Sequence, residues 1–152
     1  MIKKLFMLGD ISALFERDLN RLIKEIQSYD DEATLWKIEP GISNSAGNLT
    51  LHLIGNLNHF LGKGILNSGY VRERDKEFSD KNVPREKLIS DVREVIMMIK
   101  NAMNNFSVED LEKNFPIEIN NTTASAHRTI MHLYGHLNYH LGQINYHRRL
   151  LS

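Results

Sequence analysis

Hydrophobic residues recur at intervals of three and four along four separate stretches of the chain. The first stretch carries Leu8, Ile11, Phe15, Leu19, Leu22 and Ile26. Charged residues fill most of the positions between them, so this spacing predicts an amphipathic helix of about 20 residues. Pro40 and Gly41 then mark a loop. We expect the single tryptophan, Trp36, to pack this loop onto the core.

The second stretch, residues 45–66, combines an apolar stripe with a polar one. The apolar stripe consists of Leu49, Leu53, Leu57 and Leu61. The polar stripe consists of Asn48, His52, Asn56, His59 and Lys63, which lie within about 80° of one another on a helical wheel. Asparagine and histidine are mediocre helix formers, and a face that only meets solvent usually carries Glu and Lys. Solvent exposure alone therefore explains this polar stripe poorly.

The third stretch follows a polar connection of residues 67–83, in which Asn67 and Gly69 stop the second helix. Pro84 opens the third helix at a position where its missing N–H costs nothing. The apolar stripe of this helix consists of Leu88, Val92, Val95, Ile96, Ile99 and Met103. Ser107 and Asp110 resemble a capping pair, and residues 115–120 alternate as a short extended segment would. With a helix at the C-terminus, the pattern predicts an all-α four-helix bundle forming a single domain, residues 1–152.

The C-terminal stretch carries the clearest chemical signal. Four of the seven histidines, together with Gln143, share one face within about 80° on a helical wheel. These histidines are His132, His136, His140 and His147. His136 and His140 are four residues apart, so their rings meet on successive turns, as one metal ion requires of two helical ligands. A tight site needs a third ligand, and His52 in the polar stripe of the second helix is the natural candidate.

Three neutral imidazoles would leave one coordination position open and leave the ion its full charge. Such a site suits Zn²⁺ and is compatible with Ni²⁺, Fe²⁺ or Mn²⁺, and the retained charge favours anionic substrate groups. No Asp or Glu occurs after Glu118, so a carboxylate that orients these histidines must come from the first three helices or their loops. The other histidines, His59, His127, His132 and His147, are expected to be structural or exposed.

Composition narrows the class of protein further. The chain has 152 residues, with 19 basic and 19 acidic side chains and no cysteine. A neutral balance gives no sign of a nucleic-acid partner, and the lack of cysteine excludes disulfides and thiolate ligands. Asp10 breaks the apolar start of the chain too early for a signal peptide, and the last helix carries too many His, Asn and Gln residues for a membrane span. We therefore expect a soluble cytoplasmic protein.

Three segments together resemble the DinB-like (YfiT-related) superfamily. They are "LWKIEPG" before the second helix, "SAGNLTLHLIGN" within it and "HLYGHLNYHLGQI" in the last helix. The resemblance implies a four-helix bundle whose metal ligands are His52, His136 and His140. It also implies a metal-dependent hydrolase, or a transferase that uses a low-molecular-weight thiol such as bacillithiol or mycothiol, acting on a small molecule. Members of the superfamily are often dimers, so it implies a homodimer.

The reaction itself stays open at this stage. In the zincin motif HExxH a glutamate base follows the first histidine, whereas Leu137 follows His136 here. The remaining candidates for a catalytic role are Gln143, Asn56 and Tyr139, which can orient water or substrate but are poor bases at neutral pH. Their character favours thiol transfer slightly over hydrolysis. The alternatives are a non-catalytic bundle that binds a structural metal or haem, and a plain scaffold with structural histidines.

Overall fold

The computed structural model describes residues 2–152, with side chains described from Met7 onward. Four long helical segments make up the bundle: α1 (Ile2–Gln27), α2 (Ala46–Leu57), α5 (Arg85–Asn104) and α6 (Ala126–Leu151). α2 continues through a π-helical segment, Asn58–Lys63, into a last turn, α3 (Gly64–Leu66). The predicted all-α bundle is confirmed, and the described residues contain isolated β-bridges but no named strand.

Shorter elements lie in the connections between the long helices. A 3₁₀ helix, Glu32–Trp36, follows α1, and a second one, Glu109–Glu112, follows α5. The connection 67–83, predicted as a polar loop, in fact contains a short helix, α4 (Arg74–Ser79). Its sequence lacks an apolar stripe of its own, and it forms because it packs against α2. This helix supplies one of the residues on which the candidate site depends.

The helix boundaries follow from local capping chemistry. Ser45 and Ser125 each accept a hydrogen bond from a backbone N–H of the first turn, at the start of α2 and α6 respectively. Asn67 ends α3 in the left-handed conformation with φ 50°, as the predicted stop requires. The predicted capping pair is confirmed, since Ser107 Oγ donates to Asp110 Oδ2 at 2.8 Å and accepts from the Asp110 N–H at 3.1 Å.

The predicted apolar stripes form the core of the bundle. α1 packs against α5 and α6, and α2 packs against the same two helices. Phe15, Leu22, Leu53 and Ile130 are fully buried at this centre, and each side chain of this kind contributes about 1.5–3 kcal/mol by leaving water. The Trp36 ring lies against Gly47 of α2, where an added Cβ would be 2.7 Å from it, as predicted for the loop anchor. The adjacency of α2 and α6 brings their polar stripes together.

The segment between α5 and α6 closes one side of the bundle. Asn114 and Ser125 form an isolated antiparallel bridge, and Ile119 and Thr122 form another. The two residues between the second pair, at positions 120 and 121, are asparagines with φ 52° and 56°. Asparagine tolerates this conformation, which a tight primed turn needs at both central positions. The brief extended segment predicted at 115–120 is thus one arm of a small bridged loop.

A buried carboxylate joins α1 to α6. Asp18 has no exposed surface. It accepts hydrogen bonds from Tyr134 Oη at 2.6 Å, Arg17 Nε at 2.8 Å and Arg21 Nη1 at 3.0 Å. Burial acts to raise the pKa of Asp18, but the hydrogen bonds from Arg17 and Tyr134 outweigh it and lower that pKa to about 2.

We predict that this carboxylate makes the fold acid-sensitive at low pH. Because the pKa of Asp18 is lower in the folded protein than in the unfolded chain, its contribution is complete above about pH 4 and is lost as pH falls through about 2. The contribution should be about 1 kcal/mol, because Arg17 and Arg21 are half exposed and solvent screens them. Urea unfolding of wild type and Asp18→Asn between pH 6 and pH 2 measures it. Equal pH dependence in the two proteins would contradict the assignment.

Across the described residues, no helix is both long and apolar enough to cross a membrane. The prediction that the chain lacks a signal peptide concerns residues 1–10. Met1 and the side chains of residues 2–6 lie outside what the structure describes.

Candidate metal centre

Three histidines from two helices converge on one point. His52 Nε2 lies 3.1 Å from His136 Nε2, and His140 Nε2 lies 3.1 Å from the same atom. The three ligand atoms are all within 4.8 Å of one another. Two nitrogens bound to one tetrahedral Zn²⁺ at 2.0–2.1 Å would be about 3.3 Å apart. The spacing of the cluster therefore fits a single divalent ion at its centre.

A carboxylate from the connection after α3 orients His52. The ring of His52 is buried, and its Nδ1–H donates to Glu77 Oε2 at 2.8 Å. Arg72 donates to both oxygens of Glu77, through Nε at 2.6 Å and Nη2 at 2.9 Å. Burial acts to raise the pKa of Glu77, but the bonds from His52 and Arg72 outweigh it and keep that pKa below its usual value. The ionised carboxylate holds the proton of His52 on Nδ1 and leaves the Nε2 lone pair facing the other two rings.

Two residues of α2 bring Glu77 to this position. A Cβ atom on Gly55 would lie 2.1 Å from Glu77 Oε1, so only glycine leaves room for the carboxylate there. Asn48, which is buried, donates through Nδ2 to the carbonyl oxygens of Glu77 and Asp80, both at 2.9 Å. These bonds fasten α4 to α2. Two residues of the polar stripe of α2, Asn48 and His52, thus contact α4, and His52 also faces α6.

A different group orients His140. Its Nδ1–H donates to Gln143 Oε1 at 2.7 Å, one turn further along α6. The proton of His140 therefore resides on Nδ1, and its Nε2 carries a lone pair. Two imidazoles thus direct lone pairs at the same point. Neutral lone pairs repel one another unless a proton or a cation lies between them, which makes this arrangement favourable for a cation.

His136 occupies the middle of the cluster. Burial, followed by the nearby rings of His140 and His52, lowers its pKa to about 3. Burial likewise lowers the pKa of His140. Both rings are therefore neutral near pH 7, as metal ligation requires. His136 Nδ1 and Asn56 Oδ1 are buried without a hydrogen-bond partner among the described residues.

Two cavities flank the three histidines. The smaller, of about 200 Å³, is bordered by His52, His136 and Asn56, and two guanidinium groups complete its polar wall. The larger, of about 480 Å³, lies on the other side, against His140 and Gln143. Both sides of the cluster are therefore open to molecules of limited size.

The other four histidines do not join the cluster. His147 is buried and accepts a hydrogen bond from Tyr29 Oη at Nδ1, at 2.7 Å. Its Nε2–H donates to the Lys37 carbonyl at 3.0 Å, so it ties the loop after α1 to α6. His127 and His132 are exposed, and His59 is half buried. These positions agree with the structural or exposed roles predicted for them.

The three candidates for a catalytic role occupy different positions. Gln143 positions His140 through the bond described above. Asn56 is buried on the wall of the smaller cavity. Tyr139 is 66% exposed and borders the larger cavity, with its ring 5.2 Å from that of His140. Of the three, only Gln143 is hydrogen-bonded to a histidine of the cluster, whereas Asn56 Oδ1 has no hydrogen-bond partner among the described residues.

Sequence reasoning did not identify Glu77, Arg72 or Arg74 as parts of the site. It did require an orienting carboxylate from outside α6, and Glu77 meets that requirement. The available signal was Gly55, a glycine inside a helix that otherwise packs large side chains. A glycine at such a position often marks the close approach of another group.

The bundle and its three-histidine cluster define an all-α helical protein with a candidate metal site, and comparison with known proteins supports this fold. A crystal structure of a DinB-like protein from Bacillus cereus ATCC 10987 has the same fold, with a TM-score of 0.67 at 20% identity over 88% of this chain and 85% of that one. The chain belongs to the family described as "Protein of unknown function (DUF1572)", whose model matches residues 7–152. Among curated proteins, none matches it. The resemblance seen in the sequence is thereby confirmed.

Proposed function

We propose that this protein is a divalent-metal-dependent enzyme that transfers a thiol to a small organic molecule. His52, His136 and His140 would hold the ion, with Zn²⁺ and Ni²⁺ the preferred candidates because imidazole suits both. When bound, such an ion lowers the pKa of a coordinated thiol or water and supplies a nucleophile near neutral pH.

One observation carries the proposal: three Nε2 atoms converge, and two of their three rings are fixed by an acceptor on the outer nitrogen, Nδ1. His52 is held by Glu77 and His140 by Gln143, each through its Nδ1–H. Imidazoles that bind metals are typically fixed in this way by an acceptor on the outer nitrogen. Histidines that only fill space in a core have no reason to direct their Nε2 atoms at one common point.

The surroundings of the cluster favour thiol transfer over hydrolysis. Both oxygens of Glu77 are engaged by His52 and Arg72, so this carboxylate is not free to take a proton from water. Among the described residues, no carboxylate joins the three histidines as a further ligand-like group. A thiol needs less help than water to become a nucleophile, because its own pKa is much lower. The two flanking cavities also give room for two organic reactants.

Non-catalytic alternatives fit the site less well. A structural metal site is normally closed by four protein ligands, and the described residues offer three. A bis-histidine haem would place its two rings on opposite faces of a macrocycle, whereas here the rings of His52 and His136 meet edge to face with centroids 5.0 Å apart. A plain scaffold would give no reason for three ring nitrogens to point towards one another.

Elemental analysis of the purified protein tests the proposal directly. Wild type should contain about one equivalent of Zn or Ni per chain after dialysis, and His136→Ala should contain almost none. His127→Ala is the matched control, because His127 is an exposed histidine on the same helix and its loss should leave the metal content unchanged. Equal metal content in wild type and His136→Ala would overturn the proposed ligand set.

The proposal includes a homodimer, as expected from the resemblance. It is supported by large hydrophobic side chains exposed on α6, among them Tyr139, Tyr146 and Leu150. Sedimentation equilibrium of the metal-loaded protein distinguishes a dimer from a monomer. A monomer at all concentrations would remove this part of the proposal and leave the metal site unaffected.

A further inference from the structure

We propose that the smaller cavity beside the histidines is the binding site for the anionic group of a small organic acid, held by Arg74 and Arg72. This inference rests on the proposed metal site and adds a substrate class to it. The acid would enter with its reactive end towards His52 and His136 and its carboxylate or phosphate towards the two guanidinium groups.

The charges around the cavity support an anion. Its lining includes Arg72 and Arg74 and no acidic side chain. The Arg74 guanidinium has no hydrogen-bond or ion-pair partner among the described residues, and its acidic neighbour Glu73 is engaged with Lys76 at 2.6 Å. A free guanidinium that borders a cavity offers a planar fork of donors, which matches carboxylate and phosphate oxygens.

Arg72 both binds Glu77 and borders the smaller cavity. Its Nε and Nη2 are bound to Glu77, so its guanidinium is fixed in place while Nη1 has no such bond. Nη2 also lies 3.4 Å from the ring nitrogen Nδ1 of His52. The guanidinium group of Arg72 is therefore about one imidazole ring away from the point on which the three Nε2 atoms converge. A molecule of a few heavy atoms can reach both.

The rest of the cavity limits the size and character of the ligand. Its volume of about 200 Å³ suits a molecule of a few heavy atoms better than a nucleotide or a long peptide. Phe60, Ile119 and Leu133 supply an apolar wall, and the polar wall includes Asn56. A short aliphatic acid satisfies all of these surfaces, because its carbon chain meets the apolar wall and its anionic group meets the arginines.

Cobalt-substituted protein and two small thiols test this inference. Mercaptoacetate carries a carboxylate, whereas 2-mercaptoethanol is similar in size and neutral, and each gives a thiolate-to-cobalt absorption band on binding. Arg74→Gln should weaken mercaptoacetate about tenfold by removing a charge-assisted hydrogen bond, and should change 2-mercaptoethanol by less than about twofold. Inorganic phosphate, added as a competitor, should displace mercaptoacetate from wild type better than from Arg74→Gln if the site also accepts phosphate.

Lys63→Gln is the matched control. Lys63 is an exposed cationic residue at the end of the π-helical segment after α2, and it is absent from the cavity wall. The substitution removes one positive charge without removing a donor from the cavity, so it should leave the preference for mercaptoacetate intact. If Arg74→Gln weakens both thiols equally or neither, the anion site is overturned while the metal site stands. If cobalt does not bind at all, the metal site fails and this inference fails with it.

Discussion

Replacing Glu77 by glutamine is expected to lower metal affinity about 10- to 100-fold and to destabilise the fold by about 3 kcal/mol. The carboxylate accepts from His52 and from Arg72, and its side chain is 7% exposed. In the variant, the new amide NH₂ faces a donor, and Arg72 loses its counter-charge in a site where it is itself 14% exposed. The ring of His52 is then no longer fixed with its proton on Nδ1.

Two further variants test the role of the Glu77 carboxylate: one displaces it without removing its charge, and the other removes a different carboxylate as a control. Gly55→Ala keeps Glu77 but displaces its carboxylate, since the added Cβ would lie 2.1 Å from Oε1. Its metal affinity should fall in the same direction as that of Glu77→Gln. Glu73→Gln removes an exposed carboxylate from the same connection, and its stability should change by less than about 0.5 kcal/mol. Isothermal titration with Zn²⁺ and urea unfolding measure both quantities. Unchanged zinc affinity in Glu77→Gln and Gly55→Ala would show that His52 needs no orienting carboxylate.

The bundle and the histidine cluster could be predicted because their signals are local. The spacing between His136 and His140 fixes their relative position as soon as the helix forms. The prediction of His52 as the third ligand required only that the polar stripe of α2 face the polar stripe of α6. That pairing follows from the apolar stripes. When neighbouring helices bury their apolar stripes in one core, the polar stripes beside them meet along the line where the two helices are in contact.

Glu77 could not be assigned from the sequence, because its position depends on contacts between distant parts of the chain. The connection 67–83 contains several acidic residues with similar neighbours. Only the packing of α4 on α2, fixed by Asn48 and permitted by Gly55, selects which of them is buried. The same tertiary contacts produce the α4 helix that was predicted as a loop.

The polar stripe of α2 was predicted one turn too long. The wheel groups His59 and Lys63 with Asn48, His52 and Asn56, but a π-helical segment begins at Asn58. A π turn contains more residues than an α turn and so rotates all later side chains relative to the earlier ones. Accordingly, Lys63 is exposed and His59 is half buried outside the cluster. Regular periodicity cannot reveal such a change of pitch.

Saturation with Zn²⁺ or Ni²⁺ is expected to stabilise the folded protein by about 4 kcal/mol when the free ion is at 1,000 times its Kd. The ion would join α2 to α6 through His52 on one helix and the histidine pair on the other, a geometry that the unfolded chain does not maintain. For a chain of 152 residues, this stabilisation corresponds to a rise in Tm of about 10 °C.

A chelator melt measures this effect. Calorimetry of the metal-loaded protein before and after dialysis against EDTA should show the fall in Tm, and returning the ion should restore it. His136→Ala should melt at the same temperature with and without the ion, because two remaining imidazoles cannot hold it against the chelator. His127→Ala, which leaves the cluster intact, should respond as wild type does. If wild type binds one equivalent of metal and its Tm is unaffected by removal, the ion does not link the two helices, and the three histidines are not its ligands in the folded state.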